Sequence, residues 1–155
     1  MTRDILSLAG FVFLTLAVGA IGSQFLPGPW YEALEKPPGN PPNQVFGPVW
    51  TALYIAIAVA AWRVWRRGAS GAETRGPLAL WGAQLVVNAL WSWLFFGLER
   101  VGIALLDIGL LLGLVIATGL AFHRVDRVAG LLFVPYAAWV AFATYLNAGL
   151  WWLNR

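Results

Sequence analysis

Five windows of this sequence stay apolar long enough to cross a lipid bilayer: roughly residues 5–25, 44–65, 77–98, 101–122 and 129–151. An α-helix needs ~20 mostly apolar residues to span the hydrocarbon core. Every backbone N–H and C=O in that core needs an internal partner, so only helices or a closed barrel can cross it. Barrel strands alternate apolar and polar residues, and Leu110-Leu111-Leu112 and Ala58-Val59-Ala60-Ala61 do not. The sequence therefore predicts an all-α membrane protein. It is one domain over residues 1–155, a bundle of five transmembrane helices with a long structured first loop, residues 26–43. Composition agrees: 60% of residues are hydrophobic and 11% charged, against about 45–50% and about 25% in soluble domains. The first window follows Thr2-Arg3-Asp4 directly. It is long for a signal-peptide core and lacks a convincing small-x-small cleavage site, so it reads as a retained span.

Basic residues mark the cytoplasmic side of a membrane protein. Arg3, Arg63, Arg66, Arg67, Arg75, Arg124 and Arg127 fall on one side of the five spans; only Lys36, Arg100 and Arg155 fall on the other. The bias predicts a cytoplasmic N-terminus, with the first loop and the C-terminus external. Trp62, Trp65, Trp81, Trp151 and Trp152 lie near span ends, where an aromatic belt is expected. They read as anchors.

The first loop is unlike the other connections. From Trp30 to Tyr54 the chain carries Pro37-Pro38, Pro41-Pro42 and Pro48 with aromatics on both sides. Proline fixes φ and lowers the entropy lost on ordering. Long loops in compact domains are usually functional or disordered, and this one reads as a rigid lid over the bundle mouth.

The spans carry a few polar and bulky residues in register. Gln84, Asn88, Trp91, Ser92 and Phe95 share one helical face. Two readings stay open for that face: hydrogen-bonding glue between helices, or a stripe facing a ligand. Phe46, Trp50 and Tyr54 are each four apart, as are Pro135, Trp139, Ala143 and Asn147. Trp50 and Trp139 are thereby able to line one cavity from two helices, with Ala143 leaving room beside the Trp139 ring. Against this stands ordinary packing of large against small side chains. Asp107, about two turns into the fourth span, is a functional candidate, or else a carboxylate hydrated near the interface or paired across helices. Gly109-x-x-x-Gly113 suits close helix approach, within the bundle or between two copies.

Several classes are excluded. There is no cysteine and one histidine, His123, so a metal site built from several such ligands is not available. A haem held by histidine would need His123, which sits at a helix end and at the wrong depth. The basic residues are too scattered for nucleic acid. No nucleophile with its base and no phosphate loop is present. Ten tryptophans and a largely apolar interior with a few polar groups suit a flat, apolar ligand.

Trp30-Tyr31-x-x-Leu34-x-Lys36-Pro37, Pro41-Pro42 and Phe46-Gly47-Pro48-x-Trp50-Thr51-x-Leu53-Tyr54 together resemble the first loop and second helix of the TspO/MBR family. This family holds the bacterial tryptophan-rich sensory proteins and the mitochondrial translocator protein. Asn88-x-x-Trp91-Ser92-x-x-Phe95-Phe96 resembles its third helix. Pro135-Tyr136-x-x-Trp139-x-x-Phe142-Ala143-x-x-Leu146-Asn147 resembles its fifth. The resemblance implies a five-helix bundle in the bacterial cell envelope, often a homodimer, with the first loop folded over a cavity. It implies no intrinsic cofactor, and protoporphyrin IX or haem as ligand. Tyr31, Tyr54, Asn88, Trp91 and Ala143 match pocket-lining positions, and Asp107 matches an acidic residue of bacterial relatives. With Trp30, Phe46, Trp50, Phe95, Trp139 and Leu146 they form the expected ligand site. Trp50 and Trp139 match tryptophans implicated in light-dependent porphyrin degradation. The mammalian sterol motif is broken: no basic residue follows Tyr145 before Arg155, so cholesterol recognition is not carried over. Four functions follow, in order: a porphyrin-binding receptor or sensor, a porphyrin photo-oxidase, a porphyrin or lipid transporter, and a scaffold whose tryptophans only pack.

Overall fold

The computed structural model describes residues 1–68 and 71–155. Its five long helices are α1 (Thr2–Gly22), α3 (Asn43–Arg67), α4 (Ala72–Ser92), α5 (Val101–Val125) and α6 (Arg127–Leu153). A short helix, α2 (Pro29–Ala33), lies in the first loop, and α4 runs on into a π-helical turn, Trp93–Gly97. All five long helices are apolar and long enough to cross a membrane. The chain is an integral membrane protein with an all-α, five-helix architecture.

The long helices follow one another in the ring α1–α3–α6–α5–α4 and back to α1, and α3 also touches α4 and α5 across it. The ring is solid at one end and hollow at the other. The solid end is built on Ile57, Ala60, Ala61 and Val64 of α3, Val115 and Phe122 of α5, and Ala129 and Phe133 of α6. Its alanines are fully buried, which brings α3 close to its neighbours, as small residues do in membrane bundles. Of α1 only Thr15 is buried, and its hydroxyl donates to Phe11 O at 2.7 Å. Phe11 packs partly buried against the core, and much of the remaining α1 surface is exposed to lipid.

Asp126 closes the solid end. It caps α6 by accepting Ala129 N–H at 2.9 Å. It also accepts from Arg63 Nε and Nη2, both at 3.1 Å, and forms an ion pair with Arg67 Nη2 at 3.0 Å. One carboxylate thus joins α3 to the α5–α6 turn. The Asp4–Arg66 pair at 3.3 Å is exposed, and such pairs contribute little.

The structure moves two sequence-based boundaries and one role. α1 starts and ends about three residues before the expected span. α4 begins five residues before Pro77 rather than at it. Pro77 is tolerated because the carbonyl it leaves free belongs to exposed Glu73. Trp81 therefore lies about 13 Å along α4, not at its end. It is buried, with its ring edge-on to Phe11 at 5.5 Å, and it is no interfacial anchor. Trp65, Trp151 and Trp152 do sit exposed at helix ends.

Burial opposes ionisation of Asp126, but the Ala129 N–H and the charges of Arg63 and Arg67 outweigh it and hold the pKa below the usual value. Its stabilisation is therefore complete above the unfolded-state value of about 4 and is lost as pH falls through the lower folded-state value. Asp126→Ala is expected to cost about 1–2 kcal/mol near neutral pH, from the lost cap alone. The deficit should shrink on acidification. Unfolding of both proteins in detergent, from about pH 7 to about pH 2.5, checks this; a deficit that persists at the acid end contradicts it.

Candidate functional site

The hollow end encloses a cavity of about 650 Å³. Its wall draws on every long helix: Leu16, Gly19, Ala20 and Ser23 from α1; Phe46, Trp50, Thr51 and Tyr54 from α3; Asn88, Trp91 and Ser92 from α4; Ile108 and Leu111 from α5; and Trp139, Ala143, Leu146 and Asn147 from α6. Phe95 and Phe96 join it from the π turn, and Tyr31 and Asn40 from the first loop. The π turn carries Leu98 N–H to Trp93 O at 2.8 Å. The extra residue per turn lets both Phe95 and Phe96 reach the wall, a use of π geometry common at functional sites.

Trp50 is the hub of one wall. It stacks on Tyr54 at 5.6 Å, meets Tyr136 edge-on at 6.3 Å, and lies perpendicular to Trp139 at 6.5 Å. Phe46 meets Trp139 edge-on at 5.9 Å. A second wall is Trp91 stacked on Phe95 at 5.1 Å, with Phe96 edge-on to both.

Polar side chains beside the cavity are hydrogen-bonded across the helices. Tyr54 OH donates to Asn88 Oδ1 at 2.7 Å, Asn88 Nδ2 donates to Tyr136 OH at 2.9 Å, and Tyr136 OH donates to Gln84 Oε1 at 2.7 Å. Trp91 Nε1 donates to Asn147 Oδ1 at 3.0 Å, and Asn147 Nδ2 donates to Val101 O at 2.9 Å. The α4 polar face is thus both things the sequence left open: Gln84 and Asn88 tie helices together, and Asn88, Trp91, Ser92 and Phe95 also line the cavity. Trp139 Nε1 is buried without a hydrogen-bond partner.

The lid is held shut by its own turn chemistry and by α6. Pro29 opens α2 at a position where its missing N–H costs nothing. Lys36 Nζ donates to Tyr31 O, Glu32 O and Leu34 O at 2.9, 3.1 and 3.0 Å, so the carbonyls at the α2 C-terminus are satisfied. Pro37-Pro38-Gly39-Asn40 is a turn closed by Asn40 N–H to Pro37 O at 3.3 Å. Gly39 takes φ +84° there, which suits glycine at the third position of a type II turn. Asn154 brackets the Glu35 peptide, accepting its N–H and donating to its C=O, both at 2.9 Å. Tyr145 OH donates to Pro38 O at 2.9 Å. Pro37 seats on Gly149, where an added Cβ would lie 2.6 Å from the Pro37 Cβ.

Ten of the twelve expected residues line this one cavity: Tyr31, Phe46, Trp50, Tyr54, Asn88, Trp91, Phe95, Trp139, Ala143 and Leu146. Trp30 does not; it packs edge-on to Phe95 at 5.9 Å on the lid's seat. Asp107 does not either. It is buried, its Oδ2 has no partner, and its neighbour Ile108 faces the cavity instead. Gly109 and Gly113 face outward with open space around them. Sequence reasoning passed over the α1 wall and Asn40. Gly19 lies against the Tyr54 ring, where an added Cβ would lie 2.5 Å from it.

Replacing Asn88 by leucine leaves the Tyr54 and Tyr136 hydroxyls short of partners and should destabilise the protein by about 1–2 kcal/mol, measured by unfolding in mixed micelles. Gly149→Val should unseat the lid at little cost to the bundle. Faster protease cleavage within residues 34–42 at an unchanged unfolding midpoint is the expected result, and unchanged cleavage counts against the seat.

A sequence model of the TspO/MBR family matches residues 11–153. The chain is 43% identical to the tryptophan-rich protein TspO of Chlorobaculum tepidum, over 99% of both chains. It is 39% identical to the translocator protein of Bos taurus, over 94% of this chain and 89% of the other. It is 43% identical to the tryptophan-rich sensory protein of Cereibacter sphaeroides, over 88% and 87% respectively.

Proposed function

Because this chain belongs to the TspO/MBR family, we propose that it is a membrane receptor or sensor for a flat, apolar tetrapyrrole such as protoporphyrin IX. The observation that carries this reading is the lidded aromatic cavity. Its volume of about 650 Å³ falls within the range of about 300–1,000 Å³ usual for small-molecule sites. Two aromatic walls offer faces for a planar ring system. Asn40, Asn43 and Gln44 at the lid side supply amides for carboxylate side arms. The lining holds no histidine, cysteine or methionine, so haem would bind without such an axial ligand, and a metal-free porphyrin is the better match. We orient the arginine-rich end to the cytoplasm, on the distribution of basic residues. The homodimer is proposed on the outward face of Gly109 and Gly113.

A second reading rests on the perpendicular Trp50–Trp139 pair at 6.5 Å. Indoles in contact with a photoexcited porphyrin are ready electron donors, so light and oxygen would degrade the ligand with no acid–base machinery.

Titrating protoporphyrin IX into the detergent-solubilised protein in the dark tests the first reading. Saturable tryptophan quenching at one site per chain is expected, with affinity weakened by Trp139→Phe, which removes part of the aromatic wall. Non-saturable quenching that the substitution leaves unchanged contradicts it. Illumination then separates the two readings: porphyrin absorbance lost beyond a no-protein control, and spared by Trp50→Phe, favours degradation.

A further inference from the structure

A second cleft, of about 400 Å³, lies at the opposite end from the lid. Its charged wall is Arg63 and Arg67 at the end of α3, His123 and Arg124 at the end of α5, Asp126 in the turn, and Arg127 opening α6. Four arginines face one carboxylate. That carboxylate is spoken for: its side chain is 2% exposed and both oxygens are held by Arg63, Arg67 and the Ala129 N–H. It fixes the two α3 arginines in place and leaves an excess of three positive charges. Arg124 and Arg127 are exposed and take no part in the ion pairs among the described residues.

The surface just inside the membrane from these two arginines is apolar. Leu120 stands one turn from Arg124 on α5 and Leu131 one turn from Arg127 on α6, 61% and 59% exposed. Trp65, exposed at the same end, marks the headgroup depth. A positive cleft above an apolar wall matches an amphiphile with an anionic head. We propose that this cleft binds the phosphate headgroup of an anionic phospholipid, whose acyl chains run along Leu120 and Leu131. Free phosphate shares the headgroup chemistry but has no use for the leucines. The site is independent of the lidded cavity and of whatever that cavity holds.

The test is native mass spectrometry of the full chain in detergent, titrated with phosphatidylglycerol or with phosphatidylcholine of the same acyl chains. Arg124→Gln and Arg127→Gln are measured singly and together. Neither side chain pairs with Asp126, and an unchanged unfolding midpoint confirms that the turn is intact. One phosphatidylglycerol per chain is expected, preferred at least about tenfold over phosphatidylcholine, with the preference lost in the double variant and reduced in each single one. Excess inorganic phosphate should leave the bound lipid in place. Equal binding of the two lipids, or binding unchanged in all three variants, would show arginines that are merely solvated and would overturn the proposal. Displacement of the lipid by inorganic phosphate would overturn the lipid assignment in favour of a free-anion site.

Discussion

Hydrocarbon offers no hydrogen bonds, and most of this structure follows from that. It forces the five windows into helices, and it favours polar side chains within them that find partners in the protein. Gln84, Asn88, Tyr54 and Tyr136 answer with one continuous chain of hydrogen bonds across α3, α4 and α6. Asn147 answers by linking Trp91 to the Val101 carbonyl. These links hold the helices apart at the hollow end as firmly as buried alanines draw them together at the solid end. The cavity is what remains between a polar network that sets spacing and bulky aromatics that cannot fill it.

The same rule gives meaning to the groups that lack partners. Trp139 Nε1 and Trp81 Nε1 are buried and unpaired; the Trp139 ring helps to line the cavity, and the Trp81 ring packs in the core. Asp107 Oδ2 and Gln84 Nε2 are also unpaired, yet neither residue lines the cavity. Outside the hydrocarbon the rule relaxes, and there the chain uses charge. Asp126 gathers Arg63 and Arg67 at one end, and Lys36 gathers three carbonyls of the lid at the other.

The spans were legible in the sequence because hydropathy reports the solvent directly. Much of the cavity was legible too, because residues three and four apart must share a helical face: Asn88, Trp91, Ser92 and Phe95 on one helix, Phe46, Trp50 and Tyr54 on another. The α1 wall was not, since Leu16, Gly19 and Ala20 look the same whether they face lipid or a cavity. Trp81 was misread because the apolar window was opened at residue 77, five residues after the helix begins, which made a core residue look interfacial. α2 is too short to show a period. The lid's anchors were hidden for a different reason. Tyr145 and Asn154 meet Pro38 and Glu35 from 107 and 119 residues away, and no local pattern encodes such a contact.

The account stands on the lid closing over a ligand held in the cavity. The chain has no cysteine, so Glu35→Cys with Asn154→Cys creates one addressable pair where the lid meets α6. Protoporphyrin uptake is then timed by tryptophan quenching before and after a short bis-maleimide joins the two thiols. A lid that must open to admit ligand predicts uptake slowed at least about tenfold in the joined protein. Uptake at the same rate in both forms would mean that the ligand reaches its site without passing the lid.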